Sequence, residues 1–198
     1  MEKELEPRLT EARDGKRTVY FADAAHFVCG AFLGYIWCIV RMFVPTMSGR
    51  QRYNMLGAIN AITHDLYCVC NQTYINALSV CDLLTQIRDK CKDNNPITIV
   101  LDNAKYQRCN LVQQLAEKLD IELLFLPSYS PNLNIIERYW KWLKKDCLNC
   151  KYYESFEEFK NAIDGALKRT INHENKTEMD TLLKLNFQLF NNAIYNRV

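Results

Sequence analysis

At 198 residues, with 48% hydrophobic and 24% charged residues, the chain is long enough for one soluble globular domain whose core needs no disulfides. A net charge of only +2 excludes a dedicated, strongly basic DNA-binding module, so any contact with DNA must come from local basic patches. Nine cysteines cannot all pair, and with the first 17 residues highly charged no secretory signal is expected; free thiols in a reducing cytosol are the expectation.

Residues 1–16 carry alternating charges and Pro7 and read as a linker or a short frayed helix. Residues 18–23, TVYFAD, form the first predicted strand, with Val19 and Phe21 on one face and Asp23 at its end. The apolar segment that follows is free of charge only from Phe27 to Val40, 14 residues, too short for the roughly 20 a membrane span needs. Residues 27–44 are therefore predicted as buried strand or hairpin. After a polar turn, residues 53–63 and 66–72 read as a second and third strand joined at His64-Asp65.

Asn76 is placed to cap a helix running to about Cys91, with Val80, Leu83, Leu84 and Ile87 as its apolar stripe. Residues 97–101, ITIVL, are unbroken apolar, as expected of a central strand covered on both faces. A helix from about Gln107 to Leu119 is expected to bury Leu111, Val112, Leu115 and Leu119. A strand follows at 121–126. Ser130 and Pro131 signal a helix start, running to Cys147. Ser155 and Glu158 form a capping box for a last long helix, 155–171, with Phe156, Phe159, Ile163 and Leu167 inward. Residues 17–172 then make the main domain, and 173–198 a partly helical tail.

Three strands, helix, strand, helix, strand, then helices imply an α/β fold. The expected architecture is a mixed central sheet of about five strands flanked by helices. This is the order of ribonuclease-H-like folds.

Three carboxylates sit at element ends. Asp23 closes the first strand, Asp102 closes the fourth, and Glu137 lies early in a helix. If the two strands are neighbours, their acids lie side by side at one sheet edge, and Glu137 reaches in from above. Cutting a phosphodiester needs an in-line nucleophile and a stabilised leaving oxygen, which two Mg²⁺ ions about 4 Å apart supply. Such ions take hard oxygen ligands. Taken singly, each acid has a plainer account, as a turn or cap residue or as a complement to the helix dipole. Their joint placement is better evidence for the metal reading than any acid alone, without displacing the plainer accounts; in that reading Asp102 is the ligand shared between the ions.

The helix after Pro131 buries Ile136, Trp140, Leu143 and Cys147 and lines another face with Glu137, Lys141 and Lys144, flanked by Arg138 and Lys145. Cations beside a metal-binding acid suit a helix lying along a phosphate backbone. Glu-to-Lys pairing on a solvated face is the competing account. Asn103 and Arg108, with Tyr106, Arg50 and Arg52, are further candidates for DNA contact.

VLDNAKYQ followed by LLFLPSYSPNLNIIERYWKWLKK resembles the DDE transposases of bacterial insertion sequences related to the mariner superfamily. Residues 103–136 separate the second acid from the third, 34 residues, a spacing typical of that group. YFADAAHF and RYNMLGAINAIT fit its first two strands. The resemblance covers about residues 17–171. It implies a ribonuclease-H-like fold, with Asp23, Asp102 and Glu137 as catalytic, metal-binding triad. It further implies two Mg²⁺ or Mn²⁺ ions per site, DNA end cleavage and strand transfer. Partners implied are transposon-end and target DNA and a second copy in a homodimeric active complex. Three positions depart from the group's pattern: Ala24 where many relatives have an acid, Gln107 where many have His, and Ile135 where many have Pro.

Such transposases carry an N-terminal helix-turn-helix region, for which the residues before the first strand leave no room. The expectation is a catalytic domain alone, as a second reading frame, a truncated copy or an excised piece. End recognition would then come from an upstream DNA-binding reading-frame product. Expected localisation is cytoplasmic, on the nucleoid when bound to DNA. The alternative, from another class, is a catalytically silent truncated transposase that binds DNA or regulates the full-length enzyme. A weaker third is another ribonuclease-H-like nuclease such as a junction resolvase. A zinc site from Cys147, Cys150, His26 and Cys29 is set aside, since only one CxxC is present. His26, three residues after Asp23, is more often a satisfied structural histidine than a working one.

Overall fold

Alternation along one central strand sets the layers. In this computed structural model, which describes residues 2–30, 39–40, 43, 51–91, 95–127 and 133–185, strand β1 spans Thr18–Val28. Val19, Phe21, Ala25 and Phe27 enter one core, and Tyr20 and Ala22 enter the other. Strands β2 (Arg52–Asn60), β3 (Leu66–Asn71), β4 (Ile97–Leu101) and β5 (Ile121–Phe125) complete a sheet ordered β3-β2-β1-β4-β5. The first three strands are antiparallel, while β4 and β5 run parallel to β1. This is the mixed five-stranded sheet that the element order implied.

Helices α2 (Ala77–Lys90) and α3 (Asn110–Lys118) cover one face. The Asn76 side chain accepts from Ser79 N at 3.1 Å, a cap worth about 1 kcal/mol. Val80, Leu83, Leu84 and Ile87 are all buried, each contributing roughly 1.5–3 kcal/mol by leaving water. Helix α3 starts later than expected, after a 3₁₀ turn at Lys105–Gln107. That start turns Val112 and Ala116 inward and leaves Leu111 half exposed, against the expected stripe, while Leu115 and Leu119 are only partly buried.

The other face carries α4 (Ile136–Leu148), α5 (Phe156–Ile171) and α6 (Lys176–Leu182). It also carries α1 (Glu2–Arg13), the segment expected as a linker or frayed helix. Its Leu5, Leu9 and Ala12 are buried in the same core as α4 and α5. Arg8 and Arg17 both pair with Glu122 of β5, and Arg17 also reaches Thr98 of β4 at 2.7 Å. Helix α5 is capped as expected by Ser155, which accepts from Glu158 N at 3.2 Å; the Glu158 carboxylate instead accepts from Glu154 N.

Helix α4 begins at Ile136 and not at Pro131, because residues 133–135 form a turn before it. The expected Ser130–Pro131 start lies outside the described residues, as do most of the 27–44 strand or hairpin, Arg50 and everything after residue 185. No helix among the described residues is long and apolar enough to cross a membrane.

Candidate active site

The parallel pairing of β1 with β4 stops at Ala22 opposite Leu101, so Asp23 and Asp102 follow side by side where β4 ends; Asp23 does not close its strand as expected, because pairing with β2 carries β1 on to Val28. Alternation places Asp23 on the face of Phe21 and Ala25, which is the α4 side. Helix α4 crosses above that point and brings Glu137 into an open cleft of about 280 Å³ that is also lined by Asp23, His26, Trp140, Lys141 and Lys144. Asp102 does not line this cleft, but it is near enough for its charge to act on both other acids.

The electrostatics record this crowding. Burial, and then the charges of Asp102 and Glu137, push the Asp23 carboxyl up to about 7. Glu137 is also raised, first by burial and then by Asp102, while Lys141 opposes the shift. The Tyr106 hydroxyl is raised by burial and then by Asp23 and Asp102, which puts this ring beside the same acids. Among the described residues, no three His, Cys, Asp or Glu side chains converge tightly enough to form a ready-made ion site. The three acids are thus gathered in one region as mutually repelling groups.

Two neighbours hold them. Asn134 is buried just before α4; its Nδ2 donates to Ala22 O at 3.2 Å and to Asp102 Oδ1 at 3.3 Å. Two acceptors on one side fix the amide's orientation, since only the NH₂ end can serve both. Trp140, one turn after Glu137, is buried with an indole N–H that makes no hydrogen bond of normal geometry among the described residues. That N–H nonetheless lies close enough to Asp23 to favour its ionised form. Neither residue was singled out for a role from the sequence. Asn134 looked like one more turn former and Trp140 like one more member of a buried stripe.

The candidate nucleic-acid contacts separate. Lys141 and Lys144 line the cleft, with Lys144 Nζ 5.7 Å from the centre of the Phe27 ring. Lys145 is exposed but does not line it. Arg138 turns toward the C-terminal segment, where its Nη1 donates to Lys184 O at 2.6 Å. Asn103, Arg108 and Arg52 are exposed. Gln107, at one of the departures from the family pattern, is buried, and its Oε1 accepts from Ala104 N at 3.3 Å. Ile135, at another, is fully buried.

His26 is exposed at the cleft, and its Nδ1 lies 2.7 Å from Asn54 Oδ1. Asn54 Nδ2 donates to Thr73 O, so its oxygen faces the imidazole and His26 Nδ1 is the donor. Cys147 is buried, with Sγ directed to Ala162 O, and the four residues weighed for zinc do not assemble.

Residues 18–160 match the family model described as DDE superfamily endonuclease. Over 128 residues the chain is 28% identical to an insertion element IS630 uncharacterized 39 kDa protein of Shigella sonnei. That match covers 63% of this chain and 37% of the relative, so the chain spans well under half of that protein's length. Among solved structures, the catalytic domain of Mos1 mariner transposase superposes with a TM-score of 0.61 at 15% identity, covering 96% of this chain and 91% of that one. The Mos1 mariner paired-end complex with Mn gives 0.60 at 15%, covering 94% and 61%. At such identity the likeness establishes the fold, a ribonuclease-H-like mixed sheet flanked by helices.

Proposed function

The chain belongs to the DDE superfamily of endonucleases, and on that premise we propose that it is a transposase catalytic domain that cuts DNA at an element's ends and joins the freed ends to target DNA. One observation carries the reading: Asp23 within β1 lies beside Asp102, which follows the end of the adjacent parallel strand β4, and Glu137 shares the cleft with Asp23. Transposon-end and target DNA are the proposed substrates, and a homodimer is the proposed active complex.

The residues present fit divalent cations. All three donors are hard carboxylate oxygens, the chemistry Mg²⁺ and Mn²⁺ select. Asp23 and Glu137 are both held above their ordinary range partly by neighbouring negative charge, a strain that a bound cation relieves. Asp23, Asp102 and Glu137 would hold two such ions. When bound, the ions supply activation of water and stabilisation of the leaving oxygen. The protein's share is placement and charge. Asn134 anchors Asp102 to β1, and Lys141 and Lys144 offer cations to the phosphates of a strand lying in the cleft. The same acids would serve the hydrolytic cut and the attack of the freed 3′-hydroxyl, since both are in-line displacements at phosphorus.

The test is cleavage of labelled duplexes bearing the element's ends, alongside unrelated duplex, branched DNA and RNA–DNA hybrid, with Mg²⁺ or Mn²⁺. End-specific cutting that disappears in Asp102→Asn while the fold is kept supports the proposal. Mn²⁺-dependent nicking by that variant at the wild-type rate would sink it.

A further inference from the structure

Asp23 on β1 stands directly across from Gly57 on β2. Gly57 lies between Met55 and Ile59, both of which face the core beneath α4, so position 57 faces α4 as well. A Cβ there would lie 2.7 Å from Trp140 Cη2, 2.8 Å from Cζ2 and 3.2 Å from Cys68 Sγ. The missing side chain therefore lets the indole rest on the strand itself, at a distance no other residue permits. Tyr139 packs against the same indole, with ring centroids 5.3 Å apart.

This contact seats α4 over the edge where the acids meet. Trp140 follows Glu137 by three residues on the same helix, and both line the cleft with Asp23. Its N–H is a donor only and is buried, with no hydrogen-bond partner among the described residues.

We propose that Gly57 and Trp140 are a positioning pair: the bare strand at Gly57 lets the Trp140 indole seat against β2 and so sets the height of α4, hence the separation of Glu137 from Asp23. The inference rests on the reading of Asp23, Asp102 and Glu137 as one ion-binding set.

The experiment titrates Mn²⁺ into the purified full chain, with free Mn²⁺ read by electron paramagnetic resonance and folding by circular dichroism. Variants are Gly57→Ala, Trp140→Phe, the two combined, and Asp102→Asn. Trp140→Phe and Gly57→Ala are expected to melt cooperatively and to bind Mn²⁺ roughly 10- to 100-fold more weakly. The double variant should bind no more weakly than Trp140→Phe alone, because phenyl lacks the two atoms the new methyl would meet. If Gly57→Ala does not fold, Trp140→Phe and the double variant decide. Affinity lost in Asp102→Asn but kept in Trp140→Phe overturns the positioning pair alone. Affinity unchanged in Asp102→Asn overturns the reading of the acids, and this inference with it.

Discussion

Asn134 holds Asp102 to the neighbouring strand through one amide, its Nδ2 shared between Asp102 Oδ1 at 3.3 Å and Ala22 O at 3.2 Å. Ala22 immediately precedes Asp23, so the same nitrogen touches the segments carrying both aspartates. Its own Oδ1 is buried without a partner among the described residues, a cost accepted to keep the NH₂ end on these two acceptors.

Asn134→Ala removes the donor from both. It should lower stability by about 1–3 kcal/mol, the cost of leaving buried polar groups unpaired. Metal-dependent cleavage should fall roughly 10- to 100-fold, as for outer partners of metal ligands. Asn134→Asp should be worse, because it turns an acceptor toward two acceptors. Denaturant melts and single-turnover cleavage check both; equal cleavage by Asn134→Ala and wild type would remove the role assigned to Asn134.

Asp23 and Asp102 were legible because each follows an apolar run, TVYFA before Asp23 and ITIVL before Asp102. Strand pairing then did what the element order implied. Gly57 was not legible, since its meaning depends on which β2 residue falls opposite Asp23, a matter of register that no local pattern carries. Proline is a good first helical residue in isolation, which points to Pro131 as a helix start, whereas α4 begins at Ile136. Just before α4, Asn134 is held by its bonds to Ala22 O and Asp102 Oδ1, tertiary contacts that no local pattern announces. The α1 helix could have been read from Leu5, Leu9 and Ala12 at helical spacing, but the alternating charges around them hid it.

Asp23 predicts a pH-dependent cost in the metal-free protein. Its carboxyl is raised from 3.8 to about 7, so between these values the folded chain binds more protons than the unfolded one. Stability therefore falls as pH rises through that window and stays low above it. Asp23→Asn should melt higher than wild type at pH 8 in EDTA, with the gap closing toward pH 4. Millimolar Mn²⁺ at pH 8 should stabilise wild type and not the variant. A variant that melts below wild type at pH 8 in EDTA would contradict the strain assigned to this site.

Glu122 predicts the opposite slope at acid pH. The hydrogen bond from Arg8, helped by Thr98 and the Arg8 and Arg17 charges, holds its carboxyl down from 4.5 to about 2. The stabilisation is full above 4.5 and is lost as pH falls toward 2. Glu122→Gln should flatten the acid limb of the stability curve in that window and loosen α1, read as faster amide exchange in residues 5–12. The group is partly exposed, so 1 M salt should shrink the difference. An acid limb identical to wild type would show that α1 is held by its leucines alone.

Lys141 and Lys144 predict how the chain meets DNA. Both line the cleft with Asp23 and Glu137, whereas Lys145 does not line it and Arg138 is bonded to Lys184 O. Each cleft lysine replaced by alanine should weaken binding about equally for all sequences and reduce the slope of log affinity against log salt by roughly one. Lys145→Ala should change the slope little, and Arg138→Ala should act on stability instead, through its bond to the C-terminal segment. Fluorescence anisotropy with one duplex across a salt series separates these outcomes. A slope change in Lys145→Ala equal to that in Lys141→Ala would move the DNA track off the cleft and along the outer face of α4.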